Sequence, residues 1–308
     1  MIVSNQNFIQ YIGMALIEFL TQGGPRAHKH SLTWVHPIST FILHYLTITV
    51  LTICAHDIIT QGSYMGPSSH YLQEDKQTKI AVFTFIYFCS LISYRLILHR
   101  DNKIIQKGIV YEGTWLCNST LYMATVGLCS DRHILVLSYV VTVSIDQVLW
   151  YVDLTGWVLS GFKKFPVGVA KYLTWPETSW ATRITCTHHL WTIPLLIYAC
   201  GGIPYPIHTF ILSAFVMILN VSMSRWLTPF VLEARNKTTN DKHEVVKYLN
   251  VNLSHEVWKD ITFDSLQIKH DNPPTYLYLL RLFLRWQLFN GIILFVVLCP
   301  ISYIFFPL

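Results

Sequence analysis

Apolar positions along the chain gather into seven long runs separated by short polar stretches. The runs are Pro37–Ile59, Lys79–Leu98, Gly113–Ser130, Ile134–Leu154, Arg183–Cys200, Tyr205–Leu227 and Tyr276–Ile304. Each is long enough for a helix of about 27 Å or more, at roughly 1.5 Å per residue, close to what a bilayer core requires. The pattern predicts an all-α transmembrane helical bundle of about seven spans. Gly201, Gly202, Pro204 and Pro206 predict a tight turn between the fifth and sixth runs. Residues 1–36 read as an N-terminal segment, in which Phe8 to Leu20 forms an interfacial helix interrupted by Gln10 and Glu18. It lacks the cleavage pattern of a signal peptide. Residues 37–230 make a core of six spans, 231–275 a polar segment able to form a small soluble excursion, and 276–308 the last span. Within the core, 155–182 mixes Gly, Pro, Lys and aromatics and is expected to lie along the interface as a broken helix.

Composition sharpens this picture. Hydrophobic residues make up 52% and charged residues 13%, against about 25% charged in a soluble domain. The formal charge of +5 does not point to nucleic acid, because the basic residues are sorted by side of the bundle. With seven spans, the N-terminus and the loops at 99–111, 155–182 and 228–275 share one side and hold fourteen Lys and Arg; the other side holds Lys76, Lys79 and Arg132. The positive-inside rule then puts the N-terminus in the cytosol. The sequons at Asn236 and Asn252 would also be cytosolic and unmodified. The seven cysteines fall almost entirely inside apolar runs, where they read as small hydrophobes rather than a disulfide framework.

Polar side chains inside spans are costly, and so they mark candidate chemistry. Here they include Arg95, Cys117, Asn118, Asp146, Asp153, His188, His189, Asn220 and Arg225. The orientation brings Cys117, His189, Asp153, Arg95 and Arg225 to similar depth in the cytosolic leaflet, with Asp146 two turns deeper. Asp146 and Asp153, seven apart, share a helix face. A thiol and an imidazole at one depth permit nucleophilic attack on an ester, with the imidazole taking the proton and an acyl thioester dividing the reaction into two steps. Adjacent side chains on a helix diverge by about 100°, so only one of His188 and His189 is expected at the site, and the two make a poor metal pair. The bland readings are snorkelling for the arginines and helix packing for Cys117.

The segment 111–230 resembles two related groups of membrane lipid enzymes. The residues that carry this are Tyr111-Glu-Gly-Thr-Trp115, then Leu-Cys-Asn-Ser-Thr-Leu121, His188-His-Leu-Trp-Thr-Ile-Pro194 and Arg225-Trp-Leu-Thr-Pro-Phe230. One group is the androgen-induced-gene family of intramembrane threonine hydrolases, which cleave fatty-acid esters of hydroxy fatty acids. Its His-to-Pro spacing maps onto His189 and Pro194, and its nucleophilic Thr falls near Cys117. The other is the YwaF-like group, with a cysteine-dependent phospholipid acyltransferase among its members; its Leu-Cys-polar motif matches Leu116-Cys117-Asn118. Trp115 stands where many YwaF-like chains have His, and Thr120 is a reserve nucleophile one turn beyond Cys117.

The resulting expectation is an integral membrane enzyme, resident in the endoplasmic reticulum by default, that transfers acyl chains between membrane lipids. Cys117 is the nucleophile and His189 the base; Asn118 or His188 steadies the oxyanion, and Asp146 or Asp153 orients the imidazole. Arg95 and Arg225 are candidates for substrate binding. No metal or other cofactor is called for. A lipid ester hydrolase would use the same site. Rivals from other classes are a proton-coupled transporter relaying through Asp146, Asp153 and His189, a zinc hydrolase recruiting His56 and Asp57, and a non-catalytic membrane protein.

Overall fold

The computed structural model describes residues 14, 17–21, 35–61, 74–176, 178–235, 243–257, 261–263, 267–268 and 273–306. Most of the expected N-terminal helix, with Arg26, Lys29 and the Asn236 sequon, lies outside them. The elements are α1 (Pro37–Ile59), α2 (Glu74–Leu98), α3 (Lys103–Glu112), α4 (Leu116–Cys129), α5 (His133–Leu159), α6 (Trp180–Thr185), α7 (His188–Ala199), α8 (Pro206–Leu227) and α9 (Thr275–Phe305). A two-stranded hairpin, β1 (Val231–Arg235) against β2 (His243–Tyr248), precedes α9. The all-α reading holds apart from this hairpin.

Five helices, α1, α2, α5, α8 and α9, are long and apolar enough to cross a membrane. Their outward faces carry Ile42, Leu46, Phe85, Ile86, Ile211, Leu288 and Val296, all exposed, as lipid-facing positions should be. The other two runs fall short of expectation. The third yields α4, 14 residues, and the fifth breaks at Cys186 and Thr187 into α6, 6 residues, and α7, 12 residues. At 1.5 Å per residue α4 and α7 measure about 21 and 18 Å, some 10 Å less than a hydrocarbon core. The C-terminal ends of both lie near the start of α5. Ser130 and Arg132, just beyond α4, lie beside Asp57 near the end of α1, and the Cys200 thiol after α7 meets the His133 carbonyl at 3.9 Å.

Helix α5 is the centre of the bundle, with α4, α7, α8 and α9 around it. Its neighbours are tied on by polar side chains, the usual glue between helices in lipid. Asn290 accepts from Ser144 Oγ and the Ile145 amide, each at 3.0 Å, and donates to the Thr142 carbonyl at 3.1 Å. Gln287 donates to Ser213 Oγ at 3.0 Å. In α7, Pro194 has no N–H to give the Leu190 carbonyl, and the Tyr151 hydroxyl takes that place at 3.4 Å. Near the end of α9, a π-helical stretch, Ile293–Leu298, precedes Pro300.

Part of each of the two segments expected at the surface is buried against the bundle. Around the end of α5, the buried Asp153 carboxylate accepts the amides of Val167, Gly168 and Ala170 at 2.7, 3.1 and 2.8 Å. A carboxylate can satisfy several orphan N–H groups at once, so this segment is wound around Asp153 rather than helical. Gly168 sits at φ +99°, a conformation that only glycine adopts freely. Within the polar segment 231–275, the described stretch 249–257 packs against the bundle. Leu249, Val251, Leu253, Ser254, His255 and Val257 are all buried. The Tyr248 hydroxyl donates to Glu256 at 2.6 Å, and burial together with that carboxylate holds the phenol well above its usual range. Irregular backbone is tolerated at this level only when protein covers it.

Candidate active site

The turn between α3 and α4 fixes the position of Cys117. Each residue of the Tyr111–Trp115 motif that is not a hydrophobe serves that turn. Glu112 takes Lys247 of β2 at 2.8 Å, and the Gly113 carbonyl accepts the Tyr45 hydroxyl at 2.7 Å. A side chain at position 113 would strike the Phe41 ring, with its Cβ only 2.8 Å from that ring. Trp115 occupies the N-cap of α4 but offers no capping side chain. The cap comes from far along the chain. Asn252 Oδ1 accepts the Leu116 amide at 2.5 Å, while its Nδ2 donates to the Thr114 carbonyl at 3.1 Å and Ser224 Oγ at 2.8 Å. Asn252, at φ +55°, thereby satisfies one of the amides that a helix start leaves open. With its amide so engaged and buried, Asn252 has no room for a glycan in this fold.

Cys117 is the second residue of α4, and His188 and His189 are the first two of α7. One ligand-type atom from each lies within 4.8 Å of the others. Both imidazoles therefore reach the thiol, contrary to the expectation that only one would. The 100° divergence describes the Cα–Cβ directions, and side-chain rotation beyond Cβ brings the two rings back together. The Thr187 amide bonds to Ile184 O and the Leu190 amide to Thr187 O, each a three-residue step. The two rings lean together with centroids 4.2 Å apart.

Their hydrogen bonds distinguish them. Nδ1 of His188 lies 2.6 Å from the Thr185 carbonyl, which can only accept, so Nδ1 carries the proton. Nε2 is then a bare lone pair; it is buried and has no hydrogen-bond partner among the described residues. His189 Nδ1 instead meets Nε2 of Gln147 at 2.7 Å, so as placed it accepts and its own proton sits on Nε2. The Gln147 Oε1 is buried and unpartnered among the described residues. Trp150 packs against the His189 ring at 5.3 Å.

The remaining candidates fall elsewhere or into supporting positions. Asp153 is wholly engaged by its three amides and Asp146 accepts from Trp286 Nε1 at 3.0 Å, so Gln147, not a carboxylate, makes the hydrogen bond to His189. The transporter relay loses its Asp153 member for the same reason. Asn118 donates its amide to the Glu112 carbonyl at 2.9 Å, bracing the turn. Thr120 back-bonds to the Leu116 carbonyl at 2.8 Å and is fully buried. Arg95 stays at the site. Its Nε donates to Thr185 Oγ1 at 2.7 Å and a terminal nitrogen approaches Cys186 Sγ at 3.6 Å, with Glu112 at 4.0 Å to balance its charge. Arg225 is engaged by the 249–257 stretch and α9. Only 1% exposed, it donates to the Ser254 carbonyl at 2.9 Å and lies over the Tyr278 ring at 5.1 Å. Neither arginine snorkels. His56 and Asp57 pair at 2.8 Å with Arg132 closing on Asp57 at 3.1 and 3.2 Å, at the opposite end of α4.

Gln147, Thr185 and Asn252 were missed from sequence. Gln147 carried a signal, being an amide inside an apolar run. Asn252 carried none, since its role depends on a contact across 136 positions. An apolar groove between α8 and α9, lined by Met217, Val221, Leu279 and Phe283 among others, holds no titratable group.

No protein-family model matches the chain, and no curated protein or solved structure matches it significantly.

Proposed function

We propose that this is an intramembrane lipid-modifying enzyme that moves acyl groups through a thioester on Cys117. The convergence of the thiol with two imidazoles, one presenting a buried and unpartnered lone pair, carries this reading. His188, rather than His189, is the base. Its Nε2 takes the thiol proton while Sγ attacks the ester carbonyl; the C–O bond then breaks and the departing alkoxide recovers that proton. A second alcohol, or water, attacks the thioester with its proton passing to the same nitrogen, and thiol is regenerated. Those two acceptors give acyl transfer or ester hydrolysis from one site. His189, with its proton on Nε2 as placed, is the available donor to the developing oxyanion.

Two short helices begin at this site, and their missing length is replaced by capped turns and folded-in polar backbone. An acyl chain dissolved in the surrounding leaflet approaches such a site without entering water. The reading includes seven passes with the N-terminus and the 228–275 loop in the cytosol, and the endoplasmic reticulum as the membrane.

Incubation of the purified protein with a lipid acyl donor should leave a hydroxylamine-labile acyl group on Cys117. Cys117→Ala should lose the label and turnover by about 10³-fold or more. His188→Ala should prevent labelling more completely than His189→Ala. Labelling that persists in Cys117→Ala removes the mechanism; the reverse order of the two histidines returns the base to His189.

A further inference from the structure

We propose that Cys117, His188 and His189 also form a three-ligand site for a zinc-type divalent cation, and that its binding silences the thiol. The metal-binding half stands on geometry alone; the silencing half rests on Cys117 being the nucleophile.

The donor set comes first. One thiolate and two imidazoles are the ligands that zinc and its close relatives prefer, and three protein ligands leave a fourth position for water. Bond lengths of about 2.0–2.3 Å place the ligand atoms of a tetrahedral zinc roughly 3.3–3.8 Å apart. Here they lie within 4.8 Å of one another, so side-chain rotations of about an ångström complete the set. The Cα–Cβ bonds of adjacent helical histidines diverge, but here the two rings already lean together, with centroids 4.2 Å apart.

His188 supplies a second, independent observation. It is 2% exposed, and its Nε2 has no partner among the described residues. The Thr185 carbonyl holds Nδ1–H, which is how a metal-ligating imidazole is commonly fixed, with the outer nitrogen bonded to an acceptor and the inner lone pair directed at the ion. Arg95 reinforces this by holding Thr185 Oγ1 at 2.7 Å, and Glu112 offsets its charge.

His189 needs one change. While Gln147 donates to Nδ1, the Nε2 proton blocks coordination. Half a turn of the Gln147 amide presents Oε1, now unpartnered, as an acceptor for Nδ1–H and frees the Nε2 lone pair. The catalytic and metal-bound states therefore differ in the orientation of one amide. Binding releases the Cys117 proton to solvent and forms the metal–sulfur bond. Donation to the metal lowers the nucleophilicity of the remaining sulfur lone pairs, and zinc becomes a reversible inhibitor.

The test uses the full-length protein in detergent with Co²⁺ as the probe. One equivalent should bind with a thiolate-to-cobalt charge-transfer band that Zn²⁺ abolishes by displacement. Cys117→Ser should lose the band. His188→Ala should weaken binding by about 10–100-fold. Gln147→Glu, which supplies a carboxylate that can only accept from Nδ1–H, should tighten it. Cys129→Ser should match wild type. A band that survives Cys117→Ser, or the absence of one in a wild-type protein that elutes as a folded species, overturns the site. Thioester labelling of metal-free protein separates the two readings. Labelling without cobalt binding leaves the acyl-transfer reading standing and removes this one; cobalt binding without labelling does the reverse. With both present, stoichiometric Zn²⁺ should block labelling, and labelling that continues unchanged removes the inhibitory half.

Discussion

Two polar layers lie side by side at one end of the bundle, and their hydrogen bonding differs. Around Arg225 and Asn252 most groups are engaged, with Ser254 Oγ and Trp226 Nε1 as exceptions among the described residues: Arg225 reaches Ser254 and His255, Asn252 makes three bonds, and the Tyr278 hydroxyl donates to the Leu253 carbonyl. Around Cys117, by contrast, His188 Nε2, Gln147 Oε1 and Asn118 Oδ1 are all buried without partners among the described residues. An orphaned buried polar atom costs about 1–3 kcal/mol. The proposed acyl transfer and the proposed metal site both place their ligand in this more open layer, which makes the contrast with the Arg225 layer testable.

The comparison can be broken by substitution. The largest effect should come from Arg225→Met. It orphans the Ser254 carbonyl and removes the ring contact with Tyr278, at a cost of about 3 kcal/mol. Thermal unfolding in detergent measures it, and a loss below about 1 kcal/mol would mean that this layer is not structural. Asn252→Ala should follow, with about 1–2 kcal/mol for the lost cap of α4 and slower alkylation of Cys117 as the start of that helix loosens. Asn252→Asp keeps the acceptor for the Leu116 amide and should restore part of both. Smallest of all, Cys117→Ala and His188→Ala should each change stability by less than about 1 kcal/mol. At His188 the substitution removes one buried orphan along with one good hydrogen bond. If His188→Ala unfolds the protein as readily as Arg225→Met, the open layer is part of the scaffold and the contrast fails.

How much of this could be read from the chain alone varied with the range of the contacts. The five long helices were legible nearly to their ends, and Pro37–Ile59 coincides at both boundaries. Twenty or so consecutive apolar residues have few other solutions in a bilayer. Cys117, His188 and His189 were legible as candidates, because a polar side chain in an apolar run stands out whatever surrounds it. The equivalence of Asp146 and Asp153 was a misleading inference. They share a helix face, yet one meets the indole of Trp286 and the other the amides of a loop fourteen and more residues onward.

Local composition determined that the chain forms apolar helices, where most of them begin and end, and which few side chains are out of place in hydrocarbon. Each of those properties depends on side-chain transfer energies and on neighbours within a turn or two. Only the tertiary structure decided that two runs stop short of a full span, that residues 249–257 return to cap α4, and that both histidines face one thiol. Those outcomes depend on which carbonyl or amide is left unsatisfied at a helix end and which distant group arrives to meet it. The Leu116 amide requires an acceptor, but nothing near it in the chain specifies Asn252.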